Sequence, residues 1–182
     1  MRRMRIITTA AVFAVAITTS VTMSATASVQ PSQVRAGTTS QWATSASATS
    51  QFGTTSWAAH QATGAPNVSS CGDNGSAWAS ASSTSYDKLK VSFDTPVVPT
   101  LVKIYVSYNP GQVTMVQVID TSGKSTVIYR KSAHKISTCP YVMKLPVKGV
   151  TAPVDAVRIT VNQSGLKLGW TEIDAVQLTG TE

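Results

Sequence analysis

Residues 101–120 read LVKIYVSYNPGQVTMVQVID, and this stretch decides the fold class. Apolar side chains alternate along both halves, which is the two-residue period of a half-buried strand. Asn109-Pro110-Gly111 separates the halves. Proline presets φ in such a turn, and we expect Gly111 to take the positive-φ place. The stretch therefore predicts two strands, 101–108 and 113–120, joined by a tight turn.

The rest of the chain continues this pattern of short strands and turns. Leu89, Val91 and Phe93 lie on one face of KLKVSF, a strand expected to stop at Thr95-Pro96. Valine, isoleucine, threonine and tyrosine are abundant, and no 3.6-residue apolar period persists. Hairpin-length links between the strands indicate an all-β antiparallel sandwich. The other predicted strands are 125–130, 141–147, 154–162 and the closing segment 170–178.

The amino terminus has the composition of a secretory signal. Three arginines among the first five residues precede an apolar run at 6–17, and Ala25-Thr26-Ala27 is an A-x-A cleavage site. The apolar run is too short for an ordinary membrane span. The predicted segments are a signal peptide at 1–27, a disordered Ser/Thr-rich leader at 28–41 and a secreted domain at 42–182.

The chain carries a mild positive charge. It contains 15 Lys and Arg against 8 Asp and Glu, a formal net charge of +7. Removal of the signal peptide takes away three arginines, which leaves a surplus of four in the mature domain. The basic residues are scattered and lack the interleaved aromatic side chains of single-strand binders. We therefore expect no nucleic-acid partner. We also expect no membrane span, because no apolar stretch after the amino-terminal run is long enough for one.

Cys71 and Cys139 are the two cysteines of the sequence. An even pair in an oxidising compartment usually forms a disulfide. We expect this bridge rather than a nucleophilic thiol, because no histidine or asparagine lies in a suggestive setting beside either cysteine. The long loop that it closes corresponds to about 4 kcal/mol of stabilisation in the chain-entropy model.

Glu172 and Asp174 lie two residues apart in the predicted last strand. Strand geometry would place both on the face of Val176 and Leu178. A catalytic pair, a metal site and a polar rim all remain open at this point. Two carboxylates on one wall cannot flank a glycosidic bond from two sides, so catalysis is the weakest of the three. A bulge at Glu172 would break the same-face rule.

Four motifs together resemble a known superfamily. They are SWAAHQATGAPNV (56–68), AWAS (77–80), IYVSYNPGQVTMVQVID (104–120) and GWTEIDAVQL (169–178). In order and spacing they resemble the galactose-binding-like (discoidin, coagulation factor 5/8 C-type) β-sandwich superfamily, and within it the scarf domains of pappalysin-type proteases. The resemblance implies a jelly roll of about eight strands, with adjacent N- and C-terminal strands and binding loops at one end. It also implies that Trp78 packs in the core, and we expect Trp170 to seal the end of the sandwich.

The resemblance further implies a structural calcium ion where the early loop meets the last strand. By motif, the early loop is 62–67 and the last strand supplies Glu172, so Asn67 and Glu172 are the candidate metal ligands. This loop offers Thr63, Gly64 and Asn67, where calcium-holding members have an Asp-rich loop. Because calcium takes six to eight oxygen ligands, fewer anionic groups predict a weaker site.

Five residues are candidate ligand contacts. Trp57 precedes the early loop, and its ring suits the apolar face of a pyranose. His60 lies between Trp57 and the loop, where a surface or capping role is the commoner one. Tyr108, Asn109 and Gln112 form a polar and aromatic rim around the predicted turn, with plain turn architecture as the alternative.

Sequence motifs of hydrolases are absent: the chain has neither G-x-S-x-G nor H-E-x-x-H. Together with the resemblance, this favours a secreted, non-enzymatic module that binds carbohydrate or a cell-wall or cell-surface polymer. The alternative is a protein-interaction or adhesion module that docks a secreted enzyme or a surface partner. A small hydrolase that uses Glu172 and Asp174 is the third hypothesis.

Overall fold

The computed structural model describes residues 37–182. The predicted signal peptide and residues 28–36 of the predicted leader lie outside this range. Two short 3-10 helices, Ala59–Ala62 and Pro110–Gln112, accompany eight strands. The strands are β1 (Thr38–Trp42), β2 (Ser45–Ala48), β3 (Tyr86–Tyr108), β4 (Val113–Asp120), β5 (Ser125–Arg130), β6 (Tyr141–Pro146), β7 (Val154–Asn162) and β8 (Glu172–Thr181). Within the described range, no helix has the length and apolar character needed to span a membrane.

The strands form an antiparallel jelly-roll sandwich, which confirms the predicted fold class. One sheet contains β1, β8, the second half of β3 and β6. The other contains β2, the first half of β3, β7, β4 and β5. Because β1 pairs with β8, the first and last described strands are adjacent, as the resemblance implied.

One strand replaces the two strands that were predicted on either side of Thr95-Pro96. β3 is a single strand of 23 residues that belongs to both sheets. Its register against β7 shifts between Ser92 and Val97, and it pairs with β8 from Val98 onward. Proline has no N–H for a ladder, but it is tolerated at such an irregularity. The predicted break at Pro96 is therefore a change of sheet and not the end of a strand.

The boundary of the predicted leader was wrong for residues 38–41. These residues form most of β1, and their backbone pairs with β8 from Thr38 opposite Thr181 to Trp42 opposite Gln177. The Trp42 ring also contacts Tyr105, with 5.4 Å between the ring centroids. An edge strand of small polar residues is held by main-chain hydrogen bonds, which the composition of its side chains does not reveal.

The core lies between the two sheets. Leu89, Val91 and Ile104 are fully buried in it, as the two-residue period predicted. Trp78 is also fully buried, and its Nε1 donates to the Ser50 carbonyl at 3.1 Å. Its backbone exchanges two hydrogen bonds with Ile173 of β8. Trp78 is therefore a packing residue that anchors the 49–85 connection to the last strand.

The register of β8 against β3 is interrupted near the start of β8. Tyr105 pairs with Ala175 and the next residue, Val106, pairs with Ile173, so Asp174 has no partner in the ladder. An extra residue in one strand of an antiparallel pair is a β-bulge, and it reverses the alternation of faces.

This bulge overturns the predicted face for the two carboxylates. Ile173 enters the core together with Val176 and Leu178, so the core-facing positions change parity between 173 and 176. The prediction that Glu172 and Asp174 share the face of Val176 and Leu178 was wrong. Both carboxylates instead lie beneath the 49–85 connection.

The turn after β3 uses its residues differently from the prediction. Asn109, with φ of 46°, takes the left-handed conformation that was expected for Gly111. Gly111 is required for a different reason: a Cβ there would lie 1.7 Å from the carbonyl oxygen of His134. The His134 N–H donates to the Gly111 carbonyl at 3.0 Å, so the 131–136 segment packs directly on the turn.

The predicted disulfide between Cys71 and Cys139 is confirmed. The two sulfur atoms are 2.05 Å apart and the two Cα atoms 5.1 Å apart. The bridge joins the 49–85 connection to the segment that precedes β6.

Candidate ligand-binding site

The long connection between β2 and β3 is fixed to β8 by the two carboxylates. Asp174 accepts hydrogen bonds from the backbone N–H groups of Asn67 (3.1 Å) and Val68 (3.2 Å). Burial raises the pKa of the Asp174 carboxyl, and these two N–H donors partly offset the effect. Both of its oxygen atoms are thus committed to holding the loop.

Glu172 holds the connection further along. Its Oε2 accepts a hydrogen bond from the Asn74 N–H at 2.9 Å, and only 1% of the residue is exposed. Burial raises the pKa of Glu172 to about 8, and the neighbouring Asp73 carboxylate adds to the effect. Asp73 thus lies close enough for its charge to disfavour the ionised form of Glu172.

A small pocket lies where these two carboxyl groups meet, and we call it the aromatic pocket. Its volume is about 130 Å³. Phe52 packs edge-on against Trp57 and Trp170, with centroid distances of 5.4 and 5.6 Å. The pocket is lined by Phe52, Trp57, Asp73, Ala79, Trp170 and Glu172.

Trp57 is held in place by its backbone and by its ring nitrogen. Its Nε1 donates to Asp73 Oδ1 at 2.8 Å, its N–H donates to Gly75 O at 2.8 Å, and its carbonyl accepts from Ala79. Its φ of 54° is unusual for a bulky residue, and such conformations cluster at functional sites. The ring therefore has one fixed orientation at the pocket wall.

Trp170 is positioned by residues that were predicted as a ligand-binding rim. Its ring Nε1 donates to Ser80 O at 3.0 Å. Asn109 Nδ2 donates to the carbonyl of Leu168 at 2.9 Å and to that of Trp170 at 2.8 Å. Gln112 Nε2 donates to Gly169 O at 2.9 Å and to Thr171 Oγ1 at 3.1 Å. The side-chain amides of Asn109 and Gln112 therefore hold the 168–171 segment in place by hydrogen bonds.

The other predicted ligand contacts also lie away from the aromatic pocket. Gln112 has no exposed surface, so in this structure it cannot touch a ligand directly. Tyr108 is half-buried and pairs with Glu172 in the ladder. His60 is exposed in the first 3-10 helix, and its carbonyl accepts from Thr63 Oγ1 at 2.6 Å. Trp57 alone of the five candidates lines the pocket.

A larger pocket of about 390 Å³ lies beside the disulfide, next to Pro140. Tyr105 and Tyr141 contribute to its wall, and Asp174 is the carboxylate among its lining residues. Because both oxygen atoms of Asp174 already accept backbone N–H groups, the pocket has no uncommitted charged group to orient a ligand. The smaller aromatic pocket has such groups and is the stronger candidate.

The predicted calcium ligands are not neighbours in one pocket. Asn67 lines the larger pocket and Glu172 lines the aromatic one. Among residues 37–182 there is no cluster of three or more His, Cys, Asp or Glu side chains that could hold a metal ion. Asp73 and Glu172 are the two oxygen-bearing side chains of a wall that is otherwise apolar, so the side chains of this pocket supply fewer than the six to eight oxygens of calcium. Calcium where the early loop meets the last strand stays a prediction.

The family follows from a match that spans all of the described residues. The family model described as pappalysin-1, SD scarf domain, C-terminal, matches residues 32–182. The chain belongs to this family. The sequence motifs had predicted the relationship, and the scarf domain here contains both the aromatic pocket and the disulfide. A search of curated proteins finds no match.

Solved structures share the fold of this scarf domain at low sequence identity. The family 32 carbohydrate-binding module of Clostridium perfringens NanJ, in complex with galactose, is 20% identical with a TM-score of 0.54, and the match covers 78% of this chain and 99% of that one. A selenomethionine-labelled mutant of chitosan-binding module 1, from a chitosanase/glucanase of Paenibacillus sp. IK-5, is 18% identical with a TM-score of 0.56, covering 75% and 93%. Reduced XRCC1 bound to the DNA polymerase beta catalytic domain is 17% identical with a TM-score of 0.55, covering 74% and 93%.

Sequence reasoning missed two residues of the pocket. Neither Phe52 nor Asp73 was among the candidate ligand contacts. Asp73 lies two residues after Cys71, in a Gly- and Asn-rich stretch that looks like an ordinary loop. Its proximity to Cys71 was the one available signal, because a disulfide fixes the loop residues beside it.

Proposed function

We propose that this scarf domain is a secreted, non-enzymatic module that binds carbohydrate in the aromatic pocket. The proposal is carried by the composition of the pocket: the rings of Phe52, Trp57 and Trp170 line it together with the buried carboxyl group of Glu172. An aromatic ring packs well against the apolar face of a pyranose, and carboxylate oxygens accept hydrogen bonds from sugar hydroxyl groups. The neighbours that bind galactose and chitosan support the same class of ligand.

The arrangement of the acids argues against glycoside hydrolysis. Glycosidases hold two carboxyl groups about 5 to 9.5 Å apart on opposite sides of the scissile bond. Glu172 and Asp174 line different pockets, and each is tied to the backbone of the 49–85 connection. Asp73 and Glu172 are hydrogen-bonded to each other, which is closer than the separation that glycosidases use.

Secretion belongs to the same proposal. The predicted signal peptide supports it, and so does the Cys71–Cys139 bridge, because disulfides persist in oxidising compartments.

The test is retention on immobilised polysaccharides by folded protein, followed by variants. Phe52 is 54% exposed, so Phe52→Ala should preserve the fold while removing a pocket wall. We expect Phe52→Ala and Trp57→Ala to weaken retention at least about tenfold, since truncated aromatic contacts cost about 1–3 kcal/mol. Tyr86→Ala is the matched control. It removes an aromatic ring of similar exposure (57%) on the first half of β3, where Tyr86 pairs with β7.

Two results would contradict the proposal. One is absence of retention on every polysaccharide by protein with a normal melting temperature. The other is equal loss in Tyr86→Ala and Phe52→Ala, which would mean that the polymer adheres to aromatic surface in general. Capture of a secreted enzyme by the folded protein, without polysaccharide retention, would favour the docking alternative, which the same fold serves in XRCC1.

A further inference from the structure

The two carboxyl groups of the aromatic pocket contact each other. Asp73 Oδ1 accepts a hydrogen bond from Trp57 Nε1–H, and Glu172 Oε2 accepts one from the Asn74 N–H. The two carboxyl groups are also hydrogen-bonded to one another, so a proton lies between them when Glu172 is protonated. Glu172 is 99% buried, and both carboxyl groups border the pocket. An N–H group of a ligand can donate to this pair in place of the shared proton.

The charge of the pocket is opposite to the charge of the chain. Asp73 and Glu172 face each other directly, although acidic residues number 8 against 15 basic ones in the whole sequence. Two adjacent carboxylates repel one another unless a proton or a cation lies between them. The overall positive charge would repel a cationic ligand at a distance, so any attraction must come from this local pair.

The aromatic walls favour an organic cation over a metal ion. Indole rings attract ammonium groups through their negative faces, and tryptophan is the strongest such partner. An ammonium group has three N–H donors and can donate to both carboxyl groups while it lies against a ring face. Calcium would need several more oxygen ligands than the pocket wall supplies.

We propose that the aromatic pocket recognises the protonated amino group of an amino sugar. The inference rests on the proposed function and names its ligand class: a polysaccharide or oligosaccharide that contains unacetylated glucosamine-type residues. The pocket volume of about 130 Å³ admits one edge of a sugar ring with its substituent rather than a whole oligosaccharide. The aromatic faces bind the ring, and the carboxylate pair selects the amine.

The test compares three β-1,4-linked oligosaccharides of equal length that differ at C2. They carry an amine (glucosamine), an acetamide (N-acetylglucosamine) or a hydroxyl group (glucose). Titration calorimetry is carried out at a pH at which the amine is protonated. We expect the glucosamine oligosaccharide to bind at least about tenfold more tightly than the other two, because hydrogen bonds to charged groups are the stronger ones. Added salt should reduce this preference.

Variants assign the preference to the carboxylate pair. Asp73→Asn retains the acceptor for Trp57 Nε1–H and removes the negative charge of the pair. The pKa of Glu172 is about 8, so Glu172 is protonated at the pH of the titration until the ammonium group displaces its proton. Glu172→Gln has no proton to give up and cannot supply the second charge. We expect either change to lower the ratio of glucosamine to glucose affinity towards one. Asp94→Asn is the matched control, because Asp94 is exposed and contacts Thr44 away from the pocket. It should leave the ratio unchanged.

Each alternative outcome overturns the inference. Equal binding of the three oligosaccharides would remove the amine preference and leave sugar binding intact. Binding of another polysaccharide but of none of the three oligosaccharides would also remove the amine preference and leave sugar binding intact. A preference that survives in both Asp73→Asn and Glu172→Gln would place amine recognition elsewhere. Calcium chloride alone raising the melting temperature of the native domain, but not of Asp73→Asn, would show that the pocket is a metal site.

Discussion

Glu172 combines a buried carboxyl group, one backbone donor and an acidic neighbour, and these contacts give a pH-dependent stability. Burial raises the pKa of Glu172 from 4.5 to about 8; the Asn74 N–H partly offsets this effect, and Asp73 adds to it. A folded-state pKa above the unfolded value means that the native state holds the proton more tightly. The proton on Glu172 therefore stabilises the folded state. This contribution to the free energy of unfolding is complete below pH 4.5 and is lost as the pH rises through about 8.

We predict that Glu172→Gln is more stable than the native domain above pH 8 and loses that advantage towards pH 4.5. Glutamine keeps an acceptor for the Asn74 N–H and cannot ionise beside Asp73. The expected change in the stability difference is on the order of a few kcal/mol across the interval. Thermal melts of both proteins from pH 4 to 9 measure it, with Asp94→Asn as the control for loss of one carboxylate. A difference that stays constant with pH would contradict the prediction.

Asn109 combines two roles that substitution can separate. It adopts the left-handed conformation, and its side chain donates to the carbonyls of Leu168 and Trp170. Asn109→Gly keeps the backbone conformation and loses only the side-chain bonds, while Asn109→Ala loses both. We expect destabilisation of about 1–2 kcal/mol for glycine and more for alanine. Denaturant unfolding measures both values; equal stability of the two variants would contradict the separate backbone role.

At the scale of the element, the turn between β3 and β4 depends on a close approach of two chain segments. The His134 carbonyl lies where a Cβ of residue 111 would be, so one of the two backbones must move if a side chain is added. Glycine is required at position 111 because of packing, although the sequence alone had suggested that a positive φ would require it.

We predict that Gly111→Ala destabilises the domain by about 1–3 kcal/mol or more, as overpacking does in tight contacts. Gly37→Ala is the control, because no atom lies within 4 Å of the position that its Cβ would take. Urea unfolding of the two variants gives the comparison. A native-like midpoint for Gly111→Ala would show that the 131–136 segment does not press on the turn.

At the scale of the whole molecule, the disulfide and the two carboxylates fix the same connection. Cys71 lies between Val68, which Asp174 holds, and Asn74, which Glu172 holds. The bridge therefore constrains the loop that carries Asp73 as well as the unfolded chain.

We predict that the double substitution Cys71→Ser and Cys139→Ser lowers stability by about 2–5 kcal/mol. Ligand affinity should fall as well, because the Asp73 loop loses an anchor beside the pocket. Calorimetry below the lowered melting temperature separates the two effects. Unchanged affinity in the folded variant would mean that the carboxylates alone position Asp73, and mass spectrometry finding two free thiols in the native protein would refute the bridge.

The sequence by itself determined the sheet architecture, the fold family and the disulfide. Strands 113–120, 125–130 and 154–162 were predicted with their observed bounds, because alternating β-branched residues and turn residues are local signals. It also identified Trp57 as a candidate ligand contact, from an aromatic ring beside a loop, and Trp78 as a core residue, from the resemblance of its motif.

Only the tertiary structure decided which faces and which loops meet. Three features depend on partners that are distant in the sequence: the bulge at Asp174, the change of sheet along β3, and the pairing of 38–41 with β8. The same holds for the aromatic pocket, which combines Phe52 and Asp73 of the 49–85 connection with Trp170 from the segment before β8. Local patterns specify the period of a strand, but register and the contacts between loops are set by long-range packing, which a linear sequence does not display.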